Sequence, residues 1–452
     1  MFRLLDDYVV VSWDESEDEG QGNPDFIQGI SEYVDNIADE VWPVNKKIHD
    51  NPELGYEEFI AHETLTKFFK SQKGWKVTPS AYGLDTAWIA VWESGKPGPV
   101  VSFNVEMGMH TFLPYPTVPL TYKDALDGIG HACGHNLIAT ASVAGGLATA
   151  SMMAQHGLGG RVVVFGTPAE EGGGGKIKLL EAGAYRDYDV DINLISHPGI
   201  THECALVRTS AYTAFKVEYF GREAHAAASP WLGINALDAM ITAYNAISVL
   251  RQQTMPGDVV QGHISEGGVR PNIIHAYTAG NWVVRANTSA RLDELKKKVV
   301  ACFEAGTTAT GATLKITHTQ SYSDHVPNRV MGRSYQRYFN ALSPPGLIPE
   351  DQDVDEIQGR TMASTDQGNI SYAMPSLSPG FSIVPGPGGN GPHNPEFADA
   401  AGTKDAFDRA LRVGKALAGT AVDILATDGL LATVKEEWKK EIKESGGHRS
   451  GH

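Results

Sequence analysis

Cysteine, histidine and glutamate side chains recur along this chain in a pattern that suits a metal-dependent reaction. The residues are Cys133, His135, Glu170, Glu171, His197 and His393. Thiolate, imidazole and carboxylate groups are the ligands of a borderline divalent cation such as zinc. Because Glu170 and Glu171 are adjacent, one carboxylate can bind the cation while the other takes the proton of the attacking water. The pattern predicts a metal-dependent amide hydrolase.

Most of these residues follow apolar runs that predict buried strands. The runs 161–166 and 192–195 end just before Glu170 and His197, respectively. A third run, 100–103, predicts another strand, and the Ala/Gly-rich segment 137–155 predicts a helix that packs closely on the sheet. Open α/β sheets place their sites at the carboxyl ends of strands. We therefore expect the ligands to meet at one sheet edge.

The periodicity changes near Val207 and indicates a second unit. Strands alternate with helices there in the order strand, helix, two strands, helix, strand, which is the split βαβ arrangement. The predicted elements are 212–220, 234–250, 259–266, 276–286, 292–305 and 313–319. After this unit the pattern predicts a loop or strand over 347–355, a helix over 403–426 and a frayed tail after Lys435. We predict a catalytic domain formed by residues 1–206 and 322–452, interrupted by an inserted domain, residues 207–321.

Composition excludes several classes of partner. A chain of 452 residues is too long for one ordinary core, which favours two domains. The net charge of −17 without a basic cluster argues against nucleic acid and against an anionic membrane surface. Three cysteines do not make a disulfide framework, and the first twenty residues lack the pattern of a signal peptide. These features predict a cytoplasmic protein.

Seven segments carry a resemblance to a known family. They read GIGHACGHN at 128–136, GTPAEEGGGGK at 166–176, SHPG at 196–199, GREAHAA at 221–227, RPNII at 270–274, STDQGN at 364–369 and HNPEF at 393–397. In this order they resemble the amidohydrolase, aminoacylase and carboxypeptidase branch of metallopeptidase family twenty, subfamily D. The dipeptidase-like members, of the β-alanyl-lysine dipeptidase type, are the most similar.

The resemblance implies a fold, a cofactor and a role for each motif residue. The fold would be a zinc-aminopeptidase-like catalytic domain, with helices on both sides of a mixed sheet, and a ferredoxin-like lid and dimerisation domain. Two divalent cations, zinc first and manganese or cobalt as alternatives, would be bridged by Cys133. The remaining metal ligands would be His135, Glu171, His197 and His393. Glu170 would be the general base for a dipeptide or N-acyl amino acid substrate.

Three residues of the predicted inserted domain gain roles from the same resemblance. His225 and Asn272 would stabilise the oxyanion, with His225 supplied by the partner subunit of a homodimer. Arg270 would bind a substrate carboxylate through its forked guanidinium group. Taken alone, Arg270 would more often form a surface ion pair, and His225 would be as often structural as functional.

Three alternatives remain open at this point. Cys133 could be a nucleophile activated by His131 or His135, although that chemistry leaves the glutamates without a role. The scaffold could be a non-catalytic binding protein, or a biosynthetic enzyme that forms an amide. Relatives place an acidic segment directly before the Cys133 motif. Here Glu106 and Asp124 both fit the carboxylate that orients the ligands, and the apolar and aromatic stretch within 109–123 is a candidate cover for the pocket.

Overall fold

The computed structural model describes residues 26–108, 132–342 and 348–446. Asp124, His131 and the segment 109–123 lie outside the described residues. The first part forms two helices and three strands. They are α1 (Ile27–His49), α2 (Phe59–Ser71), β1 (Trp75–Pro79), β2 (Trp88–Glu93) and β3 (Val100–Glu106). Strand β3 is buried along its whole length, as its apolar run predicts.

The second part alternates helices with strands. Its elements are α3 (His135–His156), β4 (Arg161–Thr167), α4 (Glu170–Gly173), α5 (Gly175–Glu181), α6 (Ala184–Asp187), β5 (Ile192–Leu194) and β6 (His197–Gly199). Small residues let α3 pack closely, since a Cβ added at Gly145 would lie 2.9 Å from the ring of Phe103. Helix α3 is long and apolar enough to cross a membrane, but 89% of its apolar window is buried inside the protein, as in a core helix.

The third part follows the order predicted near Val207. Its elements are β7 (Ala211–Phe220), α7 (Ala236–Leu250), β8 (Val259–Glu266), β9 (Tyr277–Ala286), α8 (Ser289–Thr310) and β10 (Thr313–Tyr322). The four strands pair antiparallel in the order β10-β7-β9-β8 and cover a separate apolar cluster together with α7 and α8. This is the ferredoxin-like arrangement. The domain boundaries at 206/207 and 321/322 stay a prediction.

The last part returns to the first core. Its elements are α9 (Arg329–Ala341), α10 (Gln352–Gln358), α11 (Gln367–Ala373), β11 (Ser376–Leu377), β12 (Gly380–Ser382), α12 (Pro395–Ala401), α13 (Lys404–Ala426) and α14 (Leu430–Glu444). The main sheet has the order β1-β2-β4-β3-β5-β11. Strands β4, β3, β5 and β11 run parallel, whereas β2 runs antiparallel to both of its neighbours, β1 and β4. A mixed central sheet flanked by helices is thus confirmed.

Two local predictions were wrong. The stretch 347–355 was expected to be a loop or strand, but α10 begins at Gln352, where Asp351 caps the backbone N–H groups of Asp353 and Val354. The tail after Lys435 was expected to fray, but α14 continues to Glu444. Ile442 is buried, and Trp438 Nε1 donates to Ser371 O over 2.7 Å. Tertiary packing stabilises this helix beyond its weak local pattern.

A buried histidine makes the stability of the fold depend on pH. His325 contacts Val207 O through Nδ1 and Ser376 Oγ through Nε2. Burial first, and then the charge of Arg208, lower the pKa of His325 from 6.5 to about 4 against the raising effect of the Val207 carbonyl. The unfolded chain therefore gains a proton near pH 6.5 that the folded chain gains only near pH 4. The stability that the neutral His325 contributes is fully present above pH 6.5, and it is lost as the pH falls from 6.5 to about 4.

We expect the wild-type protein to lose about 3 kcal/mol more unfolding free energy between pH 7 and pH 4 than the His325→Gln variant. Glutamine keeps an amide donor and an acceptor but does not titrate. Urea unfolding of both proteins at the two pH values measures the difference. Equal losses in the two proteins would assign the acid sensitivity to other groups.

Candidate metal centre and active site

The loops at one edge of the main sheet bring the predicted ligands together. Strands β3, β4 and β5 are parallel, so their carboxyl ends meet at this edge. Glu170 and Glu171 follow β4, and His197 follows β5. Cys133 precedes α3, and His393 precedes α12. The hydrogen bond from His393 N to Ala132 O, 2.7 Å long, joins two loops that are far apart in sequence.

The donor atoms form three overlapping clusters. Each cluster contains potential ligand atoms that all lie within 4.8 Å of one another. The clusters are Cys133–His135–His197, Cys133–Glu171–His393 and Glu106–His135–Glu170. Within them, Cys133 Sγ lies 3.6 Å from His197 Nε2, and His393 Nε2 lies 3.2 Å from Glu171 Oε1. All five predicted ligands are therefore close together, and Cys133 belongs to two clusters.

Backbone carbonyls fix the orientation of two histidine rings. Nδ1 of His135 is in contact with Gly108 O, and Nδ1 of His197 lies 2.7 Å from Pro198 O. A carbonyl oxygen only accepts hydrogen bonds, so each Nδ1 carries the hydrogen. The lone pair of each neutral ring is then on Nε2, which faces the clusters. This arrangement is typical of histidines that bind metals.

The paired glutamates are held by a constrained backbone. Ala169, directly before Glu170, has a φ of 52°, which is unusual for a residue with a Cβ. Its N–H donates to Glu58 Oε1 over 2.8 Å, and Tyr322 OH donates to Glu170 O over 2.6 Å. His393 has a φ of 67°. Such outliers concentrate at functional sites, where the surroundings fix them.

A buried lysine beside the clusters was missed by the sequence reasoning. Lys176 Nζ donates to Glu106 Oε1 over 2.7 Å and to Asp366 Oδ1 over 2.5 Å. The second oxygen of Glu106 lies 3.4 Å from His135 Nε2, so Glu106 contacts a predicted ligand. Lys176 is the last residue of the GTPAEEGGGGK segment, but the sequence reasoning gave it no role. Only its position after four glycines, where a helix starts below the sheet edge, could have signalled burial.

Burial and the neighbouring side chains shift the pKa values of the cluster residues in different directions. Burial raises the pKa of the Glu171 carboxyl, but the hydrogen bonds from His393 and Cys133 outweigh it and lower the pKa to about 2. Burial, and then the charges of Glu106 and Glu171, raise the pKa of Glu170 well above its ordinary value. Burial, followed by Glu171 and Glu170, does the same for the pKa of the Cys133 thiol.

The composition of the cluster fits divalent cations. The ionised forms of Cys133, Glu106, Glu170, Glu171 and Asp366 give five negative charges, and Lys176 gives one positive charge. Two divalent cations would neutralise the remainder, and they would lower the raised pKa values of the thiol and carboxyl groups. In addition, Glu106 Oε2 and His135 Nε2 are buried and find no hydrogen-bond partner in the part of the chain that the structure describes. Buried charges and lone pairs of this kind are satisfied by bound metal.

Comparison with known proteins decides the family. The model described as peptidase family M20/M25/M40 matches residues 114–418, more than half of the chain. The chain belongs to this peptidase family. It is similar to the Xaa-Arg dipeptidase of Homo sapiens, with 37% identity over 431 residues and 92% of both chains covered. A component of the p-aminobenzoyl-glutamate hydrolase of Escherichia coli is 28% identical over 76% of this chain and 70% of that protein.

A solved structure supports the fold of this M20-family chain. A protein from Bacillus subtilis, described as a dinuclear metal-binding peptidase of the M20 family, has a TM-score of 0.63 and 18% identity over 87% of this chain and 99% of that one. The predicted family, fold and enzyme class are confirmed. The chain is a hydrolase of amide bonds, which removes the non-catalytic binding protein from the alternatives.

A cavity of about 790 Å³ opens beside the metal-ligand clusters of this M20-family hydrolase. Glu170, Tyr212, Arg285 and Ser364 are among its lining residues. Arg285 donates from a terminal nitrogen to Ser364 Oγ over 2.7 Å, and its guanidinium carbon lies 4.7 Å from the centre of the Tyr212 ring. Within the described residues no carboxylate lies in ion-pair distance of Arg285. Sequence reasoning missed this residue because an alternating strand does not reveal which side chains face a cavity.

Three predicted residues lie elsewhere. His225, Arg270 and Asn272 are not among the residues that line the cavity of a single chain, and Arg270 and Asn272 are exposed. His225 and Asn272 are nevertheless neighbours, since Ala226 N donates to Asn272 O over 3.0 Å. Their predicted roles near the scissile bond are therefore not met within one chain.

Proposed function

We propose that the protein hydrolyses the amide bond of dipeptides or N-acyl amino acids with two divalent cations bound among Cys133, His135, Glu171, His197 and His393. Zinc is the first candidate, and manganese and cobalt are alternatives. The observation that carries this proposal is the sharing of Cys133 between two clusters of donor atoms at the mouth of the cavity. The names of the human and E. coli relatives agree with a small peptide or amide substrate.

Glu170 moves the proton in this proposal. When bound, the cations would supply Lewis acidity at the scissile carbonyl and at the attacking water. Glu170 lines the cavity, and its carboxylate lies 3.9 Å from His135 Nε2. It would accept the proton of the water at a carboxylate oxygen and then donate that proton to the leaving nitrogen. The hydrogen bond from Tyr322 to the Glu170 carbonyl would hold the residue in place.

The tautomer of His225 suits an oxyanion donor. Its Nδ1 accepts the N–H groups of Ala227 and Ala228 over 3.2 and 3.1 Å. Backbone N–H groups only donate, so the hydrogen of the neutral ring is on Nε2. An Nε2–H next to Asn272 would stabilise the oxyanion at the site of another subunit.

A homodimer would bring these donors to the cavity. Apolar side chains are exposed on the outer face of α7, at Ile241 and Tyr244, and in the turn before it, at Trp231 and Leu232. Trp231 is 75% exposed. Strand β8 is an edge of its sheet, with one side unpaired among the described residues. Exposed apolar patches and open strand edges are surfaces that a second copy would cover.

Metal removal tests the proposed chemistry. Dialysis against a chelator is expected to abolish hydrolysis of a panel of dipeptides and N-acyl amino acids, because the donors alone provide no Lewis acid. Zinc, manganese or cobalt at two equivalents per chain should restore it, as measured by metal analysis and product formation. Apoenzyme incubated with buffer alone is the control.

The cysteine-nucleophile alternative has one contact in its favour, the 3.6 Å distance between Cys133 Sγ and His197 Nε2. A nucleophilic thiol requires a lowered pKa, whereas burial and then Glu171 and Glu170 raise the pKa of Cys133. Full activity in chelator, combined with inactivation by alkylation, would support this alternative. A metal-loaded protein that turns over no member of the panel would contradict the proposed substrates.

Arg285 is expected to bind the carboxylate of the substrate. Replacing Arg285 with methionine should raise KM by about 10–100-fold for a substrate with a free carboxylate, because a charge-assisted contact in a cavity is lost. The effect on kcat should be small. Steady-state kinetics with the acid and its C-terminal amide measure the loss, since the variant should no longer prefer the acid.

Arg270→Met is the matched control, because the family resemblance implies this role for Arg270. If the control raises KM in the same way and Arg285→Met does not, the carboxylate binds to Arg270, which would then have to come from the partner subunit.

A further inference from the structure

The carboxylate of Glu106 is held by Lys176, which is held in turn by Asp366. Lys176 is completely buried and donates from Nζ to one oxygen each of Glu106 and Asp366. The backbone N–H of Lys176 also donates to the second oxygen of Asp366 over 2.9 Å. One carboxylate oxygen of Glu106 is therefore anchored from behind. Rotation of the Glu106 carboxylate about its bond to the rest of the side chain is restricted.

The free oxygen of Glu106 faces another atom that lacks a hydrogen. Glu106 Oε2 lies 3.4 Å from His135 Nε2, and both atoms are buried without a hydrogen-bond partner among the described residues. Because Nδ1 of His135 contacts Gly108 O, the lone pair of the neutral ring is on Nε2. Two buried lone pairs that face each other are unfavourable. They are compensated either by a second proton on His135 or by a cation that both atoms bind.

We infer that Glu106 is a further ligand of the cation held by His135, and that Lys176 and Asp366 are positioning residues that present its free oxygen. The cluster supports a cation over a proton. A carboxylate oxygen of Glu170, the proposed general base, also lies within 4.8 Å of both atoms, where it would reach a water bound to this cation. A second proton on His135 Nε2 would form one hydrogen bond, to one of the two carboxylates, and would leave the other without a partner. Aspartate at position 106 would be one methylene, about 1.5 Å, too short.

This inference rests on the proposed metal centre and adds a sixth donor to it. Cobalt(II) is the probe, because its visible absorption becomes stronger as its coordination number falls. Apoenzyme of the full chain is titrated with cobalt in competition with a chelator, which gives affinity and absorption per site. The variants are Glu106→Gln, Glu106→Asp and Lys176→Met.

In both Glu106 variants, we expect the affinity of one cobalt site to fall by at least about 10–100-fold and its visible absorption to rise. Glu106→Asp keeps the negative charge that Lys176 requires but shortens the side chain. It therefore tests whether the carboxylate must reach the cation, independently of its charge. Lys176→Met should change affinity and absorption in the same direction but less. If that variant does not fold, the Glu106 variants carry the test alone. Thermal unfolding of each protein identifies the folded variants.

Asp324→Asn is the matched control for a buried change from carboxylate to amide. Asp324 accepts hydrogen bonds from Ser289 and Tyr372 and does not line the cavity. The Asp324→Asn variant should therefore bind cobalt like the wild-type protein. Weaker binding with an unchanged spectrum in the Glu106 variants would make Glu106 a hydrogen-bond partner of His135 and overturn the inference, as would unchanged affinity. If the wild-type protein binds no cobalt, the proposed metal centre itself fails.

Discussion

Replacing Glu170 with alanine is expected to lower kcat by about 10²–10⁴-fold while the protein retains its cations. The reason is that Glu170 is the one carboxylate of the adjacent pair that is not assigned to metal binding. Glu171 is paired with His393 at 3.2 Å, whereas Glu170 lines the cavity with its backbone carbonyl fixed by Tyr322. Steady-state kinetics of the metal-loaded variant, with metal analysis on the same sample, measure both parts of the prediction.

Glu171→Ala is the matched control. It removes a proposed ligand from the same turn, so it should lose metal and activity together. Glu170→Gln tests the proton directly, because glutamine has nearly the same shape but cannot accept a proton from water at neutral pH. Near-normal kcat in Glu170→Ala would contradict the base assignment, and loss of metal in this variant would make Glu170 a ligand.

The sequence indicated which residues would lie together at the sheet edge, because most of them follow a strong local signal. Glu170 and His197 come directly after buried parallel strands, and Cys133 precedes an apolar helix. The physics of the parallel sheet then requires the loops to meet at one edge. His393 has no such strand signal, and its prediction depended on the resemblance of the HNPEF segment.

Lys176 and Arg285 could not be predicted in this way, because their roles depend on tertiary contacts. Lys176 is buried between Glu106 and Asp366, which are separated from it by 70 and 190 positions in the sequence. A buried ammonium group is stable only when such partners are present. Arg285 is one position on an alternating strand, and the cavity that it faces is formed partly by the loop that contains Ser364.

Dependence on tertiary contacts also explains why the sequence predicted a frayed tail where helix α14 lies. Its segment reads as a charged tail, and only Val434 and Ile442 on it are buried. Contacts with distant parts of the fold, such as the hydrogen bond of Trp438 to Ser371, stabilise the helix. Short segments with weak patterns take their structure from their neighbours.

Subunit complementation is the second experiment with a large expected effect. Glu170→Ala and His225→Ala are each expected to be nearly inactive, since loss of an oxyanion donor costs about 10²–10³ in rate. If His225 acts on the partner's site, a mixed dimer contains one site with Glu170 from the His225→Ala subunit and His225 from the Glu170→Ala subunit. That site is complete. The other site lacks both groups.

Random reassociation of equal amounts of the two variants makes half of the dimers mixed, and half of the sites in each mixed dimer are complete. We therefore expect recovery of about a quarter of the wild-type activity. The measurement is kcat after dissociation and remixing, with light scattering to establish that dimers form. Each variant remixed with itself is the control and should stay inactive. If the mixture stays inactive although mixed dimers form, His225 acts within its own chain. The inserted unit would then have to close over the cavity in a conformation that differs from the present one.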